Sequence, residues 1–145
     1  NGIEIVHQSG QNHYLSTLSA YQNCAIQCEV KPYCDDIASD YMWADCIICR
    51  AGAMTVTEVV TIGLPAIFVP LPNSIDNHQQ TNAAFVADSG GAILFVQKNV
   101  SASQIAKQLV NWAADKNQLL SMKDKILQLA KPKATEDIGQ FVLTL

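Results

Sequence analysis

Short apolar runs alternate with stretches of helical period along the whole chain. Residues 3–7 predict a strand, 12–22 a weak helix and 25–30 a second strand. A short helix over 36–44 leads into an apolar strand over 46–49. Residues 53–62 have helical period and are stopped by Gly63 and Pro65. The run 66–69, ended by Pro70, has the unbroken apolar character of a strand buried on both faces. A helix over 75–89, a Gly90-Gly91 turn and a strand over 92–96 follow, then three helical stretches over 102–114, 118–130 and 135–143. Strands alternating with helices predict a parallel sheet covered on both faces. The fold class is therefore α/β, a Rossmann-like doubly wound parallel sheet. Ligands in such sheets bind beyond the carboxyl ends of the strands. The segments 7–10, 31–36, 50–58 and 71–82 are expected along that rim.

Length and composition narrow the picture. The 145 residues suffice for one domain with a real core. Hydrophobic residues at 49 % against 15 % charged exclude intrinsic disorder. Arg50 and eight lysines face thirteen acidic residues, giving a charge of −4. That balance argues against a nucleic-acid footprint and against a polybasic membrane anchor. Seven of the lysines follow residue 97 and read as a solvated surface. No apolar run approaches the ~20 residues needed to cross a bilayer. The first residues lack the parts of a secretion signal and an initiator Met, and a strand begins almost at once; the chain is expected to be a piece of something longer.

Five cysteines do not look like a disulfide framework, and a reducing cytoplasm is expected. Cys46 and Cys49 have metal-motif spacing, but within a strand residues three apart point to opposite faces. They read as small core residues. Cys24 and Cys28 would share a strand face and lack the remaining ligands of a zinc site.

The stretch from Arg50 to Glu58 is the most informative. A strand ends at the only arginine, small residues allow a tight turn and close backbone approach, and a helix begins near Thr55. Free N–H groups and the positive end of the helix dipole favour an anion there, a diphosphate being a plausible guest. Neither the Gly-Lys-Ser/Thr of a Walker loop nor the three spaced glycines of a dinucleotide fingerprint is present. The same residues also fit a capping box, with Thr55 as cap and Glu58 reaching back. Arg50 has Asp35, Asp36 and Asp45 as candidate partners, and Glu58 could instead accept hydrogen bonds from ribose hydroxyls. The polar stretch 72–83 offers the neutral donors and acceptors that sugar hydroxyls need, or forms an ordinary helix entry. His78 has no nucleophile or second base beside it in sequence, and His7 and His13 read as structural. Ser9 or Gly10 could line the rim; Asp35 and Asp36 are expected to start the next helix.

These words in this order resemble the MurG family, the bacterial N-acetylglucosaminyltransferases of peptidoglycan synthesis. The matching words are Ile5-Val6-His7-Gln8-Ser9-Gly10, Asp35-Asp36 with Tyr41-Met42-Trp43-Ala44-Asp45, and Cys49-Arg50-Ala51-Gly52-Ala53-Met54-Thr55-Val56-Thr57-Glu58. Gly63-Leu64-Pro65-Ala66, Val69-Pro70, His78-Gln79 and Asn82-Ala83 complete the set. The resemblance covers essentially the whole chain and implies one half of a GT-B glycosyltransferase, with residues 1–145 as the C-terminal domain that binds UDP-N-acetylglucosamine. It implies transfer of N-acetylglucosamine, with inversion, onto the muramyl sugar of lipid I to give lipid II. By position, the Cys34 backbone would hold the uracil edge. Gly52, Ala53, Met54, Thr55, Val56, Thr57 and Glu58 would wrap the nucleotide, with Thr55 near the phosphates and Glu58 on the ribose. Gln79 would contact the transferred sugar with Asn82 nearby, and Arg50 would order the loop or meet the diphosphate. A helix N-terminus stabilising departing UDP would need no metal and no cofactor.

The resemblance further implies an N-terminal acceptor domain carrying the acceptor site, a base candidate and a membrane-docking patch, so that the whole enzyme sits peripherally on the cytoplasmic face of the membrane. No catalytic residue is expected within this chain. It is expected to bind UDP-sugar weakly and to transfer nothing alone. Two other readings stay open: the donor half of a split eukaryotic-type N-acetylglucosaminyltransferase, and a non-catalytic nucleotide-binding module.

Overall fold

A computed structural model describes residues 2–72, 74 and 77–144. The chain divides into two compact units, residues 1–43 and 44–145. The first unit is a β-α-β-α segment. Strand β1 (Glu4–Gln8) is followed by a single 3-10 turn (Gln11–His13), helix α1 (Tyr14–Tyr21), strand β2 (Gln27–Lys31) and helix α2 (Ile37–Trp43). The strands pair in parallel with Glu4 opposite Gln27 and Gln8 opposite Lys31. The expected positions hold within a residue or two. Cys24 is the exception, lying in the turn before β2 rather than on the strand, with its thiol on the Ala20 carbonyl at 3.4 Å.

The second unit carries β3 (Ile47–Cys49), α3 (Ala53–Ile62), β4 (Ala66–Phe68), α4 (His78–Asp88), β5 (Ala92–Leu94), α5 (Ala102–Ala114), α6 (Lys116–Leu127) and α7 (Ala134–Val142). Its strands form a parallel ladder in the order β3-β4-β5. The doubly wound expectation is met here in the packing. One core joins Val56, Val59 and Val60 of α3, Ala66 and Phe68 of β4, Ala83 and Val86 of α4 and Ile126 of α6. The other joins Ile67 of β4 to Trp112 and Met122, with Ile105 and Leu109 against them. Successive β4 residues thus point to opposite cores, as the two-residue period of a strand requires. Cys49 packs on the first core and Cys46 on the second, so the two thiols do face apart. Burial pushes the Cys49 thiol up to about 12. It pushes Cys46 up to about 11. Among the described residues the hydrogen-bonded ladders are β1-β2 in the first unit and β3-β4-β5 in the second.

Local chemistry explains the boundaries. Helix α3 ends at Gly63, which takes the left-handed conformation (φ 74°) while its N–H bonds the Val59 carbonyl. Helix α5 begins on a reciprocal capping box in which Ser101 Oγ accepts from the Gln104 N–H and Gln104 Oε1 accepts from the Ser101 N–H. The predicted helix over 75–89 begins at His78; its first two expected residues, Ile75 and Asp76, lie outside the described residues. Helix α7 leaves Ile138, Phe141 and Val142 exposed. No helix among the described residues is long and apolar enough to cross a membrane.

Gly91 sits where a Cβ would fall on Ile126 Cγ1, a side chain buried in the first core. Gly91→Ala is therefore expected to destabilise the chain by about 1–3 kcal/mol through overpacking. A urea midpoint lowered at unchanged slope is the readout; an unchanged midpoint would show that α6 can shift freely.

Candidate functional site

At the carboxyl end of β3 the chain runs through Arg50 and the buried Ala51 to Gly52, whose extended backbone (φ −62°, ψ 149°) caps α3. The helix starts at Ala53, as the period over 53–62 predicts and two residues before the Thr55 start read from the turn. The Thr55–Glu58 capping box does not form, because Thr55 already lies inside the first turn and a cap must be extended. The first intrahelical bond is Val56 N–H to the Gly52 carbonyl at 2.9 Å, and no side chain caps the helix. The N–H groups of Ala53, Met54 and Thr55 therefore have no partner within the helix, and Ala53 and Met54 are exposed. A Cβ placed on Gly52 would meet nothing within 4 Å. Neither backbone conformation nor internal packing calls for glycine there.

Long-range polar ties hold this turn. Asn82 Nδ2 of α4 donates to the Ala51 carbonyl at 3.1 Å. Gln79, one turn earlier, accepts at Oε1 from the Leu71 N–H at 2.9 Å. Arg50 does not rely on the carboxylates weighed for it. Its Nη1 donates to the carbonyls of Val69 and Pro70 at 2.8 and 3.2 Å and to Gln97 Oε1 at 2.6 Å. These bonds tie the exits of β4 and β5 to β3 and leave Nη2 and Nε outside them. Val56 is turned into the core and Thr57 donates back to the Ala53 carbonyl at 2.9 Å, so their side chains serve the helix. Glu58 is half-buried on the next turn. Gln97 carried no sequence signal; only its meeting with Arg50 marks it.

The first unit has its own rim. Ser9 N–H bonds the Lys31 carbonyl at 2.9 Å, continuing the β1-β2 ladder. Beyond it, the Cys34 N–H donates to Gln8 Oε1 at 3.1 Å. Lys31 Nζ meets Asp40 Oδ1 of α2 at 2.8 Å. That ammonium holds Asp40 below the usual carboxylate range, and the carboxylate raises Lys31 in turn. Burial, with Asp40 alongside, pushes the Cys34 thiol up to about 11. Asp36 accepts from the Ser39 N–H and hydroxyl at 3.1 and 2.6 Å, starting α2 as expected. His7 meets the Tyr21 hydroxyl at 3.2 Å, a structural contact. Among the described residues no group of three His, Cys, Asp or Glu side chains is placed to hold a metal.

The family described as glycosyltransferase family 28 C-terminal domain matches residues 1–138. The UDP-N-acetylglucosamine--N-acetylmuramyl-(pentapeptide) pyrophosphoryl-undecaprenol N-acetylglucosamine transferase of Azotobacter vinelandii is 42% identical over 140 residues, 97% of this chain and 39% of that protein. Its counterpart in Pseudomonas aeruginosa PAO1 is 44% identical over 134 residues, 92% of this chain and 38% of that protein. The crystal structure of Acinetobacter baumannii MurG superposes with a TM-score of 0.89 at 38% identity, covering 99% of this chain and 42% of the other. SnogD from Streptomyces nogalater, at 14% identity and a TM-score of 0.53, shares the fold. The chain thus spans about two fifths of the length of the relatives it matches.

The Lys31–Asp40 pair sets an acid dependence. A carboxylate held low in the folded state adds stability above its unfolded pKa and loses it as pH falls through the folded value. Denaturant midpoints of the chain are expected to fall on acidification below the ordinary carboxylate range. Asp40→Asn should lower stability at neutral pH and flatten that acid limb; a limb of undiminished steepness would assign it to other carboxylates.

Proposed function

The chain belongs to the glycosyltransferase family 28 C-terminal domain family, and from that premise we propose that it is the donor-binding domain of an inverting transferase using UDP-N-acetylglucosamine. The observation that carries this reading is the uncapped start of α3 behind a glycine that nothing inside the protein requires. Three N–H donors and the positive end of the helix dipole converge on open space, an arrangement suited to a diphosphate. As the bond from the anomeric carbon to the diphosphate breaks, negative charge grows on departing UDP. Fixed donors at that point stabilise the transition state more than the ground state. Within the second unit, Arg50 orders the surrounding strand exits, Thr55 lies by the phosphates and Glu58 takes the ribose hydroxyls. Asn82, which braces the turn, and Gln79, which holds the Leu71 N–H, face the transferred sugar. In the first unit the Cys34 peptide takes the uracil edge.

The acceptor follows from the relatives' names. The whole enzyme would move N-acetylglucosamine onto undecaprenyl-pyrophosphoryl-muramyl-pentapeptide, lipid I becoming lipid II. Acceptor binding, a catalytic base and attachment to the cytoplasmic face of the membrane are assigned to an N-terminal domain beyond this chain. Alone, the chain is expected to bind donor and to give no turnover in a radiolabelled transfer assay.

Calorimetry tests the donor reading: UDP-N-acetylglucosamine and UDP should bind more tightly than ADP, and equal binding would leave only a general nucleotide-binding module. Glu58→Ala should weaken UDP while leaving 2′-deoxy-UDP nearly unaffected. Gly52→Ala separates fold from function. Its backbone is one alanine adopts freely, but alanine is a poorer N-cap than glycine, so stability should change by less than about 1 kcal/mol, while UDP should bind more weakly because a methyl group stands over the donors. Retained affinity would move the diphosphate elsewhere.

A further inference from the structure

The Cys34 N–H is already occupied. It donates to Gln8 Oε1 at 3.1 Å, and since a backbone N–H can bond only an acceptor, the carboxamide must present its oxygen there. Gln8 is the exposed last residue of β1, whereas Cys34 is buried just beyond β2. Without Gln8, the N–H of this buried residue would lose its partner, and such groups rarely go unpaired. The Cys34 peptide thus offers a donor that is already in use.

A carboxamide and a uracil ring carry the same edge, a carbonyl oxygen beside an N–H. We propose that Gln8 is a built-in stand-in for the uracil edge. It satisfies the Cys34 N–H when no nucleotide is bound, and it swings into solvent when a uracil carbonyl takes its place. This inference rests on the reading of the Cys34 peptide as the base contact, and adds to it the residue that sets its affinity. A bond to Gln8 must be given up for each base bound, so the binding-competent fraction of the chain is reduced and the apparent affinity with it. One exchanged neutral hydrogen bond corresponds to about a two- to tenfold effect. Cytosine carries an amino donor where uracil carries its 4-carbonyl, so at that position it has nothing to accept from the Cys34 N–H and gains nothing from the exchange.

The test uses the full 145-residue chain, wild type and Gln8→Met, a side chain of similar length with no amide. UDP and CDP are titrated by calorimetry, with circular dichroism to check the fold. In parallel, 15N spectra of the wild type follow the Gln8 side-chain amide and the Cys34 backbone amide. Gln8→Met should bind UDP about two- to tenfold more tightly and leave CDP unchanged. In the wild type, UDP should shift both the Gln8 and Cys34 signals. Equal or weaker UDP binding by a folded Gln8→Met chain overturns the inference. So does UDP binding that moves Cys34 while leaving the Gln8 amide in place, and this spectrum needs no variant. UDP that binds without moving the Cys34 amide overturns the base-contact reading itself, a distinguishable failure that takes the inference with it.

Discussion

Strand β4 is buried on both faces, and the second unit is arranged around that constraint. Ala66, Ile67 and Phe68 are completely sealed from solvent. A strand in that position cannot leave its backbone groups unpaired, so β3 and β5 must flank it in register, and its side chains must be covered by helices from two directions. α3, α4 and α6 cover one face, and α5 with Met122 covers the other. Helices that return to the far end of a parallel sheet begin where the strands stop. The uncapped start of α3 at the rim follows from this return.

Three polar side chains at that rim are bonded to the main chain. Arg50, Gln79 and Asn82 each bind main-chain atoms of neighbouring segments. Arg50 and Asn82 thereby hold the turn that leads into α3, and Gln79 holds the segment after β4. An arginine bonded to carbonyl oxygens contributes by holding geometry. The first unit applies the same economy at Cys34, where a side-chain amide and a buried thiol beside Asp40 set the shape of one peptide.

Departures from the sequence reading cluster where two local patterns compete. Thr55-Val56-Thr57-Glu58 and Ser101-Ala102-Ser103-Gln104 both have capping-box spacing. Only the second forms one, because Ser101 is extended while Thr55 sits inside a turn begun by Gly52. Likewise Cys24 is close enough in sequence to Cys28 to share a strand face, but the chain is still turning there.

The alternation of apolar runs and helical periods, with glycine and proline at the ends, was enough on its own to set the α/β class, nearly every element and the segments beyond the strand ends. Those are local properties, decided by residues within a few positions of each other. The partners of Arg50, Asn82 and Gln8 lie 19 to 47, 31 and 26 residues away. No periodicity encodes such pairings. They arise only when packing brings distant segments together and each buried N–H and C=O must find a partner, so the tertiary structure alone decided which side chains brace the candidate site and which groups remain open to a ligand.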